Sequence, residues 1–278
     1  MQSTNHPSKD PMMPAAVITP PQPTRTPVAS TRLRSLSIVL PCFNEEENVA
    51  GAVAEASIAA RRAADAFEIL VVDDGSSDRT RVIAEALALA DRNVRVVAHE
   101  HNRGYGAAVR SGFQAARMDW ILLTDGDLQF DLAELADVAP LTADADFVAG
   151  YRIVRMDPVH RRVNAAAWNW LVRRFFDVDL RDVDCAFKLM RRPLIQSLDL
   201  TAEGAMVSTE LVAKAAGHGA RFAEAGVHHR PRVAGASSGA SPRVILRAFG
   251  ELFRISRDMR AQQADTLQLQ PQAPALGA

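Results

Sequence analysis

LLTDGDLQF, residues 122–130, is the stretch from which the rest of the chain can be read. Ile121 to Thr124 is a short apolar run of the kind that makes a buried strand, and it delivers two aspartates one residue apart, Asp125 and Asp127. Strand alternation would point both carboxylates the same way. Gly126 between them lets the backbone turn at the strand end. Two carboxylates held this close repel and favour a cation. Mg²⁺ or Mn²⁺ suits such hard oxygens and completes its shell with water and phosphate oxygens. Gln129 adds a third oxygen at the same spacing. In isolation a DGD reads first as a loop that ends a strand, so its neighbours decide.

Upstream the same arrangement repeats. In LSIVLPCFNEEENV, residues 36–49, Ser37 to Leu40 is a buried strand that Pro41 ends. Asn44 is the expected cap of a helix running to about Ala64. In FEILVVDDGSSDRT, residues 67–80, Glu68 to Val72 is a strand and Asp73-Asp74-Gly75-Ser76 a turn. Asp78 or Ser77 caps a helix over Arg79 to Ala90. Val94 to Ala98 is a third strand, His101 to Gly106 a glycine-containing turn, and Ala107 to Ala116 a helix. Trp120 to Thr124 is the fourth strand. Strands alternating with helices make a mostly parallel sheet covered on both faces, an α/β fold. Ligands of such sheets bind beyond the carboxyl ends of the strands, where Pro41 to Glu45, Asp73-Asp74 and Asp125 to Gln129 all fall. PCFNEE stands where a dinucleotide-binding fold would carry GxGxxG, and no P-loop signature occurs.

The 278 residues hold one large domain or two small ones. The net charge of −1 makes no electrostatic case for nucleic acid. Cys42 and Cys185 match no zinc or disulfide spacing and read as free thiols of a reducing compartment. Residues 1–34, with seven prolines among Ser, Thr and Gln, read as a disordered tail, and so do residues 264–278. No apolar run of signal-peptide or membrane-spanning type appears, so the expectation is a soluble or peripheral protein.

SIVLPCFNEEENV, VVDDGSSDRT, NRGYGAA, TDGDLQ and DVDCAFKLMRR occur in that order. Together they resemble the family 2 glycosyltransferases of the GT-A fold, over about residues 36–240. Within that family the resemblance is to dolichyl- or polyprenyl-phosphate hexose transferases of the dolichol-phosphate mannosyltransferase type. It implies a nucleotide-diphospho-sugar donor (GDP-mannose or UDP-glucose type), a divalent metal, Mg²⁺ or Mn²⁺, and inverting transfer to a lipid phosphate. It implies a single GT-A domain over residues 35–240. With the free thiols and the lack of a spanning run, the expected location is cytoplasmic, either soluble or peripheral at the cytoplasmic face of the membrane.

Carried over by motif, Pro41, Phe43 and Glu45 match the base- and ribose-binding segment, and Asp73 the aspartate on the nucleobase. A carboxylate there accepts from the N–H of uracil or guanine alike. Asp125, Asp127 and Gln129 match the metal-binding DxDxQ, with Asp125 also on the donor side. Arg152 and Arg162, with Arg161 as the alternative, match arginines that hold the acceptor phosphate. Asp182 matches an aspartate near the acceptor, with Asp184 as runner-up, and joins Arg152 and Arg162 as the catalytic set. Ala186 stands where the family commonly has Gly, and Lys188 could face either phosphate. Arg232, Gly235 and Ser237 match an RxxGxS loop whose arginine reaches the donor diphosphate. Ser238 replaces a frequent Lys.

Met206 to Gly217 reads as a helix in which Glu210 is structural, and Ala220 to Val227 as an edge strand. Asp131 to Leu141 reads as a helix and Asp146 to Ala149 as a fifth strand. Residues 241–263 read as one basic amphipathic helix, suited equally to a membrane interface and to packing on the domain or a partner. Two other functions stay open at this stage. One is a same-fold transferase with a soluble hydroxyl acceptor, which needs Asp182 as base. The other is a non-catalytic nucleotide-sugar-binding protein.

Overall fold

The computed structural model describes residues 32–153, 159–176, 178–231, 250–257 and 259, and the side chains of 159–166 lie outside that description. A seven-stranded sheet runs through them in the order β3-β2-β1-β4-β6-β5-β7. The strands are β1 (Leu33–Cys42), β2 (Ala64–Asp73), β3 (Val94–Ala98), β4 (Trp120–Leu123), β5 (Phe147–Arg152), β6 (Lys188–Arg191) and β7 (Phe222–Val227). The helices are α1 (Val49–Ala63), α2 (Thr80–Ala90), α3 (Tyr105–Ala115), α4 (Leu135–Val138), α5 (Val159–Phe176), α6 (Arg192–Ser197) and α7 (Val207–Gly217). Only β6 runs against its neighbours, β4 and β5.

The aliphatic strand runs are buried on both faces, as parallel sheets require. Ile38, Leu40, Ile69, Val71 and Leu122 pack with α1 on one side. Val39, Leu70, Val72, Ile121 and Leu123 pack with α3 and α7 on the other. Leu252 and Ile255, from the helical stretch 250–257, join that second side. Of the uses left open for residues 241–263, packing on the domain is what Leu252 and Ile255 show in the described part.

Several sequence readings change. Pro41 does not end β1: the strand continues to Cys42, and Pro41 pairs with Val72. The Val39 carbonyl accepts from Thr124 N–H, so the alternate residue Pro41 also faces the β4 side, beyond the last β4 pair at Leu123. Its missing N–H costs no ladder bond there. Asn44 does not cap α1, which starts at Val49. It sits at φ 56° and accepts from Ser77 N–H instead. The expected helix over Asp131 to Leu141 is broken into a 3-10 turn, the four-residue α4 and a second 3-10 turn. The first strand begins at Leu33, inside the stretch read as tail. Residues 1–31 and 264–278 of the tails lie outside the described residues, as do 241–249.

The antiparallel β6 was not legible in DVDCAFKLMRR. Its first residue, Lys188, stands level with Leu123 of β4 and Ala149 of β5. An inserted antiparallel strand must be entered from the carboxyl edge of its neighbours. That is why residues 182–187 arrive where the DGD loop begins.

Asp146 anchors the β5 entrance. Its carboxylate accepts from Arg221 at 2.9 and 3.1 Å and from Arg191 at 3.0 Å. The Arg221 hydrogen bonds, against the opposing effect of burial, hold the Asp146 carboxyl down at about 2. A carboxyl depressed in the fold stabilises it above the unfolded value and stops doing so as pH falls through the folded one. Wild type should therefore melt higher than Asp146→Asn at neutral pH, and the gap should close as pH drops from about 4 toward 2. Paired thermal melts across that window check this; a gap that stays constant counts against the pairing.

Candidate active site

Two loops of the carboxyl edge hold each other. Thr80 Oγ1 accepts from Glu45 N–H at 2.8 Å, Ser76 Oγ from Asn44 N–H at 3.0 Å, and Asp78 Oδ2 from Glu46 N–H at 3.1 Å. In return Glu46 Oε2 accepts from Arg79 N–H at 3.0 Å. This reciprocal bonding brings Pro41, Phe43 and Glu45, at the end of β1, beside Asp73, the last residue of β2. Pro41 is buried, Glu45 half-buried, and Phe43 is 45% exposed.

Asp73 is buried, and its Oδ1 accepts from Ser76 N–H at 3.3 Å. Its Oδ2 is one of two buried side-chain oxygens with no hydrogen-bond partner among the described residues, the other being Thr124 Oγ1. Such an orphan costs about 1–3 kcal/mol. Asp74, next in sequence, is fully engaged: it accepts from His99 Nδ1 at 2.6 Å, Arg103 N–H at 2.9 Å and Gly104 N–H at 2.8 Å. It holds the NRGYG turn against β2, a role the sequence reading did not assign.

The DGD loop lies against the end of β1. A Cβ on Gly126 would come within 2.8 Å of Cys42 Sγ and 3.4 Å of the Pro41 carbonyl oxygen. Glycine is needed there for close approach. Asp127 is buried and Asp125 half-buried. Burial pushes the Cys42 thiol well up, and the carboxylates of Glu45, Asp73, Asp125 and Asp127 push it further. Asp73 stands level with Cys42 across the sheet and Gly126 lies against its Sγ, so three motifs meet at this thiol. Tyr105 donates to Asp125 Oδ1 at 3.0 Å, and burial followed by Asp125 raises this phenol well above its usual range. Nothing in NRGYGAA signals that contact.

Gln129 is turned toward the chain that leaves β7. Its backbone carbonyl accepts from Arg230 N–H at 2.6 Å, and its Nε2 donates to the Arg230 carbonyl at 3.1 Å. Phe130 and His229 form an antiparallel bridge beside it. The DGD loop is thereby clipped to the segment that reaches Pro231, one residue before Arg232. Arg232, Gly235, Ser237 and Ser238 lie outside the described residues.

On the acceptor side, Arg152 closes β5 and meets Asp182 in a two-pronged pair, Nε to Oδ2 at 2.7 Å and Nη2 to Oδ1 at 2.9 Å. Their side chains are 17% and 5% exposed. The two expected acceptor residues are therefore bonded to each other. Asp184 is exposed. Arg161 and Arg162 fall on α5, and their side chains are outside the description. Lys188 is completely buried and donates to the Cys185 carbonyl. Burial lowers its ammonium, opposed by Cys185, Asp184, Asp182 and Asp125, so the acceptor segment and the DGD loop share one electrostatic environment. Glu210 is structural, as expected: it is buried, accepts from Thr201 and Ala202 N–H at 2.9 and 2.8 Å, and pairs with Lys214 at 2.8 Å.

Among the described residues no three His, Cys, Asp or Glu side chains gather as a closed metal cluster. Asp125 and Asp127 still suit a hard cation of the Mg²⁺ type, which takes one or two protein carboxylates and draws its other ligands from phosphate and water. No described helix is long and apolar enough to cross a membrane.

The model of the family described as "Glycosyl transferase family 2" matches residues 37–199. The chain is 33% identical over 219 residues to Glycosyltransferase AglD of Haloferax volcanii, covering 75% of this chain and 35% of that protein. It is 32% identical over 220 residues to the undecaprenyl-phosphate 4-deoxy-4-formamido-L-arabinose transferase of Pseudomonas fluorescens, covering 78% of this chain and 63% of that one. The chain thus spans less than two thirds of the length of either relative. Among solved structures it is similar to glucosyl-3-phosphoglycerate synthase from Mycobacterium tuberculosis in complex with Mn²⁺, UDP-glucose and phosphoglyceric acid. That match has TM-score 0.54 and 20% identity, over 82% of this chain and 78% of that one. Mannosyl-3-phosphoglycerate synthase from Rubrobacter xylanophilus gives TM-score 0.56 and 18% identity, over 88% and 79%.

Proposed function

The chain belongs to the family 2 glycosyltransferases and has the GT-A fold, and from that premise we propose that it moves a hexose from a nucleotide sugar to a polyprenyl or dolichyl phosphate with inversion. The observation that carries the reading is the meeting of the Asp73 turn and the DGD loop at Cys42, the end of β1, with Asp73 level with Cys42, Gly126 against its Sγ, and Asp73 Oδ2 buried and unpartnered. A base N–H would satisfy that oxygen, and we assign the nucleoside to the space between Asp73 and Pro41, Phe43 and Glu45. Asp125 and Asp127, with Gln129, would hold Mg²⁺ or Mn²⁺, which supplies charge neutralisation to the departing diphosphate. Arg232 is assigned to the same diphosphate.

Arg152, Arg162 and Asp182 are assigned to the acceptor. The acceptor's phosphate oxygen forms the new bond to the anomeric carbon while the bond from that carbon to the β-phosphate oxygen breaks. A phosphate monoester with a second pKa of about 6 is already largely ionised at neutral pH. No base is required, and the structure fits this: both Asp182 oxygens face the Arg152 guanidinium. A hydroxyl acceptor would instead need that carboxylate as base. Asp182 holds the Arg152 guanidinium in a fixed orientation through two of its five donors, and we assign that guanidinium to the acceptor phosphate.

Phe253, 60% exposed, meets Phe175 edge to face, and Trp170 of α5 is 64% exposed. We assign this aromatic face to the bilayer that carries the lipid acceptor, at its cytoplasmic side. The purified protein, given Mn²⁺, a polyprenyl phosphate and radiolabelled GDP-mannose or UDP-glucose in turn, should drive label into the organic phase. Label that stays aqueous with every donor and moves to a soluble hydroxyl compound instead would overturn the assignment.

A further inference from the structure

The start of α3 is gripped from two sides. Gly104, at φ +93°, and Gly106 lie so close to the Ala202–Glu203 backbone that a Cβ would come within 2.5 Å of Glu203 O at the first and 2.2 Å of Ala202 O at the second. Gly106 N–H donates to the Glu203 carbonyl at 2.7 Å. From the other side, Asp74 accepts from Gly104 N–H at 2.8 Å. The 201–203 turn is itself immobilised by the buried Glu210. Tyr105, between the two glycines, therefore has its backbone set by contacts outside the DGD loop.

Asp125 is met from this fixed point. It follows β4 on a loop that turns through Gly126 and through Leu128 at φ 61°, and its neighbour Asp127 repels it. The Tyr105 hydroxyl donates to Asp125 Oδ1 at 3.0 Å. We propose that Tyr105 is a positioning residue: by holding one oxygen of Asp125 it aims the carboxylate at a divalent cation and so sets the affinity for that ion. The inference rests on the metal role assigned to Asp125 under Proposed function. It adds a residue outside the carboxylate set. It also ties the grip on α3 to the chemistry at β4.

The test compares wild type, Tyr105→Phe and Asp125→Asn for binding of Mn²⁺, read from its electron paramagnetic resonance signal with UDP or GDP present. Loss of an outer partner of a metal ligand typically costs 10–100-fold in affinity, so Tyr105→Phe should weaken Mn²⁺ binding by about tenfold or more. In turnover, the Mn²⁺ concentration for half-maximal rate should rise by a similar factor, and saturating Mn²⁺ should restore most of the rate. If Asp125→Asn weakens binding and Tyr105→Phe does not, Tyr105 has no such role and the metal assignment stands. If neither variant changes Mn²⁺ binding, the metal assignment falls and the inference with it. A Tyr105→Phe variant that melts lower yet binds Mn²⁺ as wild type does also overturns the proposal.

Discussion

Asp125→Asn is expected to lower transfer of label to the lipid phase by about 10³-fold while leaving the fold intact. The variant keeps an oxygen that can accept from Tyr105 and the half-buried environment of the side chain. What it removes is a negative charge at the point proposed for the cation and the diphosphate. A loss of several kcal/mol of transition-state stabilisation is typical for metal-assisted departure, and about 4 kcal/mol corresponds to that factor. Initial rates at saturating donor, with melting curves run alongside, measure it. Turnover within about threefold of wild type would contradict the role given to the carboxylate.

The second large effect is on stability. Arg152→Ala leaves the Asp182 carboxylate, 5% exposed, without its two-pronged partner. Removing one member of a buried pair costs about 3–5 kcal/mol because the other charge is stranded. For a domain of this size about 3 kcal/mol lowers the melting temperature by roughly 6–12 °C. The double variant Arg152→Ala/Asp182→Asn removes the stranded charge and should recover a substantial part of the loss. Calorimetry on the two variants and wild type decides it. A single variant that melts with wild type would mean the pair is not formed in solution. Transfer should fall in both variants, since neither keeps the guanidinium, so recovered stability without recovered turnover separates the structural contribution of the pair from its chemical one.

These two sites differ in how far the sequence reaches them. Asp125 and Asp127 stand at the end of an apolar run within nine residues, and the order of the other motifs along the chain gives them their metal reading. Arg152 and Asp182 are thirty residues apart and were each assigned to the acceptor, not to one another. No local pattern carries that pairing. The same holds for Tyr105 and Asp125, twenty residues apart. Asn44 was read as a cap because polar residues before helices commonly are. Its actual partner, Ser77, comes from another loop, and the cross-loop bonds decided its conformation.

From the residue order alone came the alternation of strands and helices, the limits of β3 at Val94–Ala98, and the gathering of acidic loops at one edge. Hydrophobic periodicity and strand-end chemistry are short-range properties, set by residues adjacent in the chain. The folded molecule alone placed β6 antiparallel between β4 and β5, cut the segment after Asp131 into short turns, and carried Pro41 inside a strand. Those outcomes depend on which backbone groups find partners across the sheet and on how side chains fill the space left by distant segments. Such partners are chosen by packing and hydrogen bonding in three dimensions, and neighbouring residues along the chain hold no record of them.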